Sequence, residues 1–151
     1  MTDKENFLNL LAQMLEQDHQ LSPLGAKIYA LLIIADQKFY TFDEIVALTN
    51  ASKSSVSTQL KELLDRNKIV FENKDDSRKR FFKTNQHYVN DMLQAEYLDA
   101  SNHADILKQL TYYKKDNQMA KILLEYYQHS QCNIEATLKK INQIQKQKND
   151  E

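Results

Sequence analysis

The scarcity of helix breakers constrains this chain more than any other feature of its sequence. One glycine and one proline occur among 151 residues, far below ordinary usage for globular proteins. Because these two residues most often interrupt helices, long helices are the expected outcome. Most of the apolar residues recur at helical spacing, so the sequence predicts a mainly α-helical protein with one small β-hairpin.

Two short helices separated by a turn are predicted near the middle of the chain. Thr41 can cap the first helix, and Glu44 three residues later completes a capping box. Asn50 and Ala51 supply the turn, and Ser52 is a favourable cap for the second helix. The signals therefore predict a helix-turn-helix unit with its second helix at about residues 52–66.

The second helix has two chemically different faces. Its apolar residues recur at i, i+4, i+7 and i+8 and predict one buried side: Val56, Leu60, Leu63 and Leu64. The opposite side is small, polar and partly cationic: Ser54, Thr58 and Lys61, with Ser55 and Ser57 on its flanks. Such a face suits a helix that enters a DNA major groove about 12 Å wide, although a solvated helix surface has the same composition.

A basic hairpin follows this helix. Residues 69–73 are β-branched and aromatic, residues 74–78 have turn chemistry, and residues 79–83 can form the return strand. The hairpin carries five bases within ten residues: Lys74, Arg78, Lys79, Arg80 and Lys83. Helix, turn, helix and hairpin follow one another as in a winged helix-turn-helix, in which the second helix lies in the major groove.

Positive charge is concentrated on the same segment. The whole chain has a formal net charge of −1, but residues 52–83 hold nine Lys or Arg against five Asp or Glu. Residues 1–51 are acidic by a similar margin. A local basic excess is the electrostatic signature expected of a nucleic-acid-binding face.

The segment from Ser52 to Lys83 resembles the DNA-binding domain of MarR-type transcriptional regulators, and most closely the GbsR-like branch. It matches the helix pattern SKxxVSxxLxxLxxxxxV at five positions: Lys53, Val56, Ser57, Leu60 and Leu63. The resemblance implies a bacterial, homodimeric regulator that reads an inverted-repeat operator.

The wing carries a second point of resemblance. Asp76-Ser77-Arg78 is similar to the family's D-x-R element, in which the Asp braces the wing and the Arg reaches toward the minor groove. The chain departs from the family pattern at Asn67 and Lys68, where a glycine usually ends the recognition helix.

The flanking segments are predicted to be helical. An amphipathic helix at residues 3–20 has an apolar face that can pack on the chain's own core or on a second subunit. Ser22-Pro23 begins a helix that is apolar nearly all round, where Gly25 either permits a close helix contact or is merely tolerated in the first turn. Residues 38–40 can add a third strand. After the wing, helices are predicted from Thr84 or Asn85 onward, with a break at 101–102 and a loop at 130–133.

These elements predict three parts. Residues 1–20 form an N-terminal dimerisation helix, residues 21–83 form the winged helix-turn-helix, and residues 84–151 form a C-terminal helical dimerisation region.

Enzyme chemistry finds no support in the sequence. The four histidines and the single cysteine, Cys132, show no metal-ligand spacing. A chain with one glycine cannot form a glycine-rich phosphate loop. We therefore expect no catalytic residues, metal or cofactor. The polar N-terminus shows no signal peptide, and no apolar run is long enough for a membrane span, so a cytoplasmic location is expected.

Tyrosines in the C-terminal region suggest a small-molecule effector. Tyr97, Tyr113 and Tyr126 could hold a quaternary ammonium by cation–π attraction, since the GbsR-like branch includes a choline-responsive regulator. The alternative is that these tyrosines are ordinary core and interface residues.

The sequence thus predicts a dimeric regulator that binds double-stranded DNA. The residues expected to contact DNA are Ser52, Lys53, Ser54, Ser55, Ser57, Thr58, Lys61, Lys74, Arg78, Lys79 and Arg80. The alternative is a winged-helix protein-interaction module that does not bind DNA.

Overall fold

The computed structural model describes residues 2–74 and 78–149. Its elements are α1 (Asp3–His19), α2 (Pro23–Ile33), β1 (Tyr40–Thr41), α3 (Phe42–Thr49), α4 (Lys53–Asp65), β2 (Ile69–Asn73), β3 (Arg80–Thr84), α5 (Tyr88–Tyr113) and α6 (Gln118–Asn149). They form two compact units, Met1–Gln86 and His87–Glu151. The predicted fold class, mainly α with a winged-helix topology, is confirmed. None of the described helices is both long enough and apolar enough to cross a membrane.

Helix α2 is the centre of the first unit. Ala26, Ile28 and Ala30 are fully buried, as expected for a helix that is apolar nearly all round. Every other helix of this unit, and the sheet, contributes to the same core: Leu15 from α1, Ile45 from α3, Val56, Leu60 and Leu63 from α4, Ile69 from β2 and Phe82 from β3. The apolar stripe predicted for α4 therefore fixes which face of that helix points outward.

The predicted caps are present. Ser22 Oγ accepts the Gly25 N–H at the start of α2, with Pro23 as the first helical residue. Thr41 and Glu44 form the complete capping box at the start of α3. Asn50 ends α3 in the left-handed conformation, with φ of 52°. Local signals thus determine where both helices of the helix-turn-helix begin.

Asn67 takes the place of the glycine expected after the recognition helix. Its φ is 57°, a left-handed conformation that asparagine tolerates better than most residues. Its carbonyl accepts a hydrogen bond of 2.8 Å from the Asn85 side chain. The departure from the family pattern therefore leaves the turn from α4 into β2 intact.

Gly25 allows α2 and α4 to approach closely, as predicted. A Cβ at this position would lie 2.7 Å from Gln59 Oε1 and 3.0 Å from Ser22 Oγ. The Ser22 hydroxyl donates to Gln59 Oε1 at 2.5 Å, which joins the two helices beside the glycine.

The sheet has the strand order β1-β3-β2, with both pairings antiparallel. Strand β2 matches its prediction, whereas β3 lies one residue later than the predicted 79–83. The third strand predicted at 38–40 is Tyr40–Thr41, and Tyr40 pairs with Phe82. Phe71 is directly opposite Phe82, and their ring centroids are 6.1 Å apart.

Helix α1 packs on the chain's own first unit. Leu15 is buried in its core, and Leu8 and Leu11 are partly buried against it. Phe7, Leu10 and Met14 on the same helix are exposed. One side of α1 therefore packs on the chain's own core. The exposed apolar row on its other side could still pack on a second subunit.

The second unit is a hairpin of two long helices. The predicted break at Ser101-Asn102 is wrong, since α5 is continuous from Tyr88 to Tyr113. The predicted loop at 130–133 is also wrong, since α6 is continuous through Asn133. Serine and asparagine only weaken a helix, and this region contains neither glycine nor proline.

Helix α5 starts later than predicted because the expected starting residues belong to the sheet region. Thr84 is the last residue of β3, and the Asn85 N–H donates to the Lys68 carbonyl. The N-cap is His87, which makes no side-chain capping bond.

Candidate nucleic-acid interface

All eleven residues predicted to contact DNA are exposed in the first unit. They lie at the N-terminus and on the outer side of α4, and on either side of the hairpin tip: Ser52, Lys53, Ser54, Ser55, Ser57, Thr58, Lys61, Lys74, Arg78, Lys79 and Arg80. Asp76 and Ser77, the rest of the predicted D-x-R element, lie outside the described residues.

Three serine hydroxyls organise the N-terminus of α4. Ser52 Oγ accepts the Ser55 N–H at 3.2 Å and so caps the helix. The same hydroxyl donates to Ser55 Oγ at 2.7 Å and lies 3.3 Å from Ser54 Oγ. This network fixes the first turn of α4, where N–H groups and the helix dipole favour an anion.

The outer face of α4 is polar, and two of its side chains interact with other residues of the same helix. Thr58 Oγ1 donates to the Ser54 carbonyl at 3.0 Å, which leaves its methyl group and its acceptor lone pairs facing outward. Lys61 forms an ion pair with Asp65 at 2.6 Å, and its side chain is 77% exposed. Hydrogen bonding to that carboxylate raises the pKa of Lys61, so the ammonium is charged at physiological pH.

A groove separates α4 from the hairpin. It has a volume of about 510 Å³ and brings residues of both elements together, namely Ser57, Lys61, Arg78, Lys79 and Arg80. Five of the predicted DNA contacts therefore converge on one concave surface.

Apolar side chains form the floor of this groove. Leu60 and Leu64 from α4 meet Phe82 from β3 there. Leu60 and Phe82 also belong to the hydrophobic core, to which both α4 and β3 contribute.

Aromatic rings support the basic side chains of the hairpin. The Arg80 guanidinium lies 4.5 Å from the centroid of the Phe71 ring. Lys74 Nζ lies 4.3 Å from the Phe39 centroid and 4.8 Å from the Phe81 centroid. Cation–π contacts of this kind hold the aliphatic stems in place while the charges remain exposed.

Two basic residues of the segment 52–83 do not belong to the candidate interface. Lys68 is 1% exposed, and its ammonium donates to His19 Nδ1 at 2.7 Å and lies 5.5 Å from the Tyr29 ring centroid. The Arg66 guanidinium donates to the His19 carbonyl at 2.6 Å. Both therefore bind the C-terminus of α1, an assignment that the local sequence pattern could not reveal.

The same contacts determine the protonation of His19. A lysine ammonium only donates, so Nδ1 must accept and the neutral ring carries its proton on Nε2. Burial first, and then the charge of Lys68, lower the pKa of His19, while Asp18 opposes them.

The three tyrosines proposed for an effector are dispersed in the second unit. The Tyr97 hydroxyl donates to Glu135 at 2.8 Å, which raises its pKa. Tyr113 is 89% exposed, and Tyr126 is 64% exposed and stacks edge-on against Tyr127. Tyr97 and Tyr113 are sixteen residues apart on α5, about 24 Å along the helix axis. One small cation cannot contact both within a single protomer.

Among the described residues, no group of three His, Cys, Asp or Glu could hold a metal ion. Cys132 is an exposed free thiol on α6.

Comparison with known proteins adds a fold relationship. No protein-family model matches the chain, and no curated protein matches it in sequence. A solved structure described as the crystal structure of a transcriptional regulator has the same overall fold, with a TM-score of 0.62 and 14% sequence identity. The match covers 94% of this chain and 99% of that chain.

Proposed function

We propose that this protein is a dimeric transcriptional regulator of MarR type, GbsR-like branch, that binds specific sites in double-stranded DNA. The observation that carries the proposal is the groove in which the outer face of α4 meets the basic hairpin. The fold shared with a transcriptional regulator supports it.

Helix α4 would lie in the major groove. It has 13 residues and a length of about 20 Å, with small side chains on its exposed face. Ser57, Thr58 and Lys61 would reach base edges, where hydroxyl and ammonium groups form hydrogen bonds. The first turn, with Ser54 and Ser55, would hold a phosphate through its N–H groups.

The hairpin would contact the sugar-phosphate backbone or the minor groove. Arg78, Lys79 and Arg80 lie on the side of the groove opposite Lys61. Arginine is favoured in narrow minor grooves, and such contacts fix the register of the protein on the duplex. Lys74 lies at the other end of the hairpin tip, so both strands would contribute charge.

Unpartnered apolar surface supports a homodimer. In the second unit a hairpin of two helices buries few large side chains and exposes many: Val89, Met92, Leu98, Ile106, Leu110, Tyr112, Tyr113, Met119, Ile122, Tyr126 and Ile144. Exposed apolar side chains in this number support an interaction surface on these helices. A second copy would cover them with a two-fold axis, and two α4 helices would then read half-sites about one DNA turn apart.

A small-molecule effector remains part of the proposal only if its binding site combines residues from both protomers of the dimer. Tyr97, Tyr113 and Tyr126 cannot form one cage within a protomer, but residues from two protomers could combine. Titration of a quaternary ammonium into the Tyr113→Ala variant, which lacks the aromatic ring, and into the native protein would test this. Equal affinity would remove Tyr113 from the site.

The proposed function is tested by selecting bound fragments from a random pool of genomic duplexes at two salt concentrations. Enrichment of a short inverted repeat, with affinity that falls steeply as salt rises, is the expected result. Weak retention of all sequences alike would contradict it and would favour a winged-helix protein-interaction module.

A further inference from the structure

The three-stranded sheet has a second face that is turned away from the core. Phe82 is buried in the core, and side chains alternate along a strand, so Phe81 and Lys83 occupy the opposite face. Glu72 is paired with Phe81 and shares that face. Phe39, just before β1, adjoins it through its contact with Lys83.

Three lysine ammonium groups gather around the ring of Phe39. The Nζ atoms of Lys74, Lys83 and Lys38 lie 4.3, 5.0 and 5.3 Å from its centroid. No two of them can therefore be more than about 10 Å apart, a distance comparable to the screening length at physiological salt. We call Phe39, Lys38, Lys74 and Lys83 the Phe39 patch.

Among the described residues, carboxylates neutralise only part of the positive charge of this patch. Lys83 is bound to Glu72 at 3.0 Å. Within residues 2–74 and 78–149, Glu72 is the one acid in an ion pair with these three lysines. Like charges at this separation repel one another, and an anion placed among them would relieve that repulsion.

We propose that the Phe39 patch binds the phosphate backbone of the duplex that flanks the sequence contacted by α4 and the hairpin tip. This inference rests on the proposed function and extends its footprint. Lys74 belongs both to the patch and to the residues predicted to contact DNA, so the patch adjoins the hairpin tip. Because the three ammonium groups lie within about 10 Å of one another, they could contact neighbouring phosphates of one strand.

Duplex length provides the first test, with the native protein. One duplex ends at the selected inverted repeat, and a second extends it by about one helical turn on each side. The extended duplex is expected to bind at least about tenfold more tightly at low salt, because it adds phosphate contacts. Hydroxyl-radical cleavage should show protection of the flanking backbone. Equal affinity and an unprotected flank would overturn the inference.

Charge removal provides the second test. The double variant Lys38→Gln/Lys83→Gln is compared with Lys115→Gln/Lys139→Gln, which removes the same charge from exposed positions of the second unit. The first variant should lose the preference for the extended duplex, and the slope of log K against log salt should fall by about four, because the proposed dimer loses two lysines in each protomer. The control variant should keep the preference for the extended duplex and the native salt slope.

The outcomes separate the two proposals. If the native protein enriches no duplex, the proposed function fails and the inference fails with it. If the native protein binds its repeat but Lys38→Gln/Lys83→Gln retains the length preference and the salt slope, the inference alone is wrong. Should that variant fold poorly, the cleavage pattern of the native complex decides.

Discussion

Truncation of Lys68 should reveal how much of the fold depends on a buried lysine. Its side chain is 1% exposed, so Lys68→Ala removes three buried methylene groups, worth about 0.8 kcal/mol each. It also removes the hydrogen bond to His19, worth about 1.5–3 kcal/mol for a charged donor. The variant also no longer pays the desolvation cost of a buried ammonium, which offsets part of this loss. The expected destabilisation is therefore about 2–3 kcal/mol.

Lys68→Met separates the apolar stem from the charge. Methionine retains most of the buried volume and needs no partner for an ammonium, so the expected cost is about 1 kcal/mol or less. The two variants should therefore differ by about 2 kcal/mol. With an m-value of about 2 kcal/mol/M, this gap corresponds to about 1 M in the urea midpoint.

The assay is urea unfolding followed by circular dichroism at one protein concentration, because a dimer's stability depends on concentration. Lys61→Ala is the control, since that side chain is 77% exposed and its surface ion pair should contribute less than about 0.5 kcal/mol. Equal midpoints for the Ala and Met variants would refute the argument, because the buried stem would then contribute nothing.

Three further predictions follow from the same structure. The pKa of His19 is lowered, so the folded state binds fewer protons than the unfolded state, and stability should fall as pH drops below 6.5 toward the folded pKa. Between pH 8 and pH 5, the urea midpoint of His19→Asn should change less than that of the native protein, whereas His129→Asn should follow the native protein. Parallel pH curves for both variants would contradict this. Ser52→Ala should cost about 1 kcal/mol through the lost cap, a fall of about 2–4 °C in a thermal melt; an unchanged melting temperature would show that the cap contributes nothing. Arg78→Ala should weaken duplex binding and lower its salt slope by about two, one for each protomer of the proposed dimer, and full affinity at low salt would argue against the hairpin assignment.

Local signals in the sequence determined much of the helix-turn-helix. Thr41, Glu44 and Ser52 are capping residues whose partners lie three residues away, and such bonds form within one turn. The apolar stripe of α4 likewise depends only on helical periodicity. These features were predictable because their physical causes are contained in short segments.

Features that depend on distant partners were not predictable. The burial of Lys68 follows from His19, 49 residues earlier in the chain, and basic residues are rarely buried. The continuity of α5 through Ser101 and Asn102 follows from packing on α6, with Ala100 and Ala104 buried on either side. Tertiary packing overrides weak local preferences in such positions.

The candidate interface was predictable in composition but not in shape. The exposed residues of α4 and the basic residues of the hairpin were identifiable from the sequence. Their convergence on one groove depends on tertiary packing, in which Leu60 of α4 and Phe82 of β3 belong to the same core. The Phe39 patch was missed because Lys38 and Phe39 lie far in sequence from the hairpin that carries Lys74 and Lys83.

The central claim is that the N-terminus of α4 binds duplex DNA. The most direct test measures the affinity of the selected duplex for Lys53→Glu, at the exposed start of α4, and for Lys115→Glu, in the exposed turn between α5 and α6. Both variants change the net charge by the same amount. We expect Lys53→Glu to weaken binding by at least about tenfold at moderate salt and Lys115→Glu by less than about twofold. Equal losses would show that only the overall charge matters and would contradict the assignment of α4 as the recognition helix.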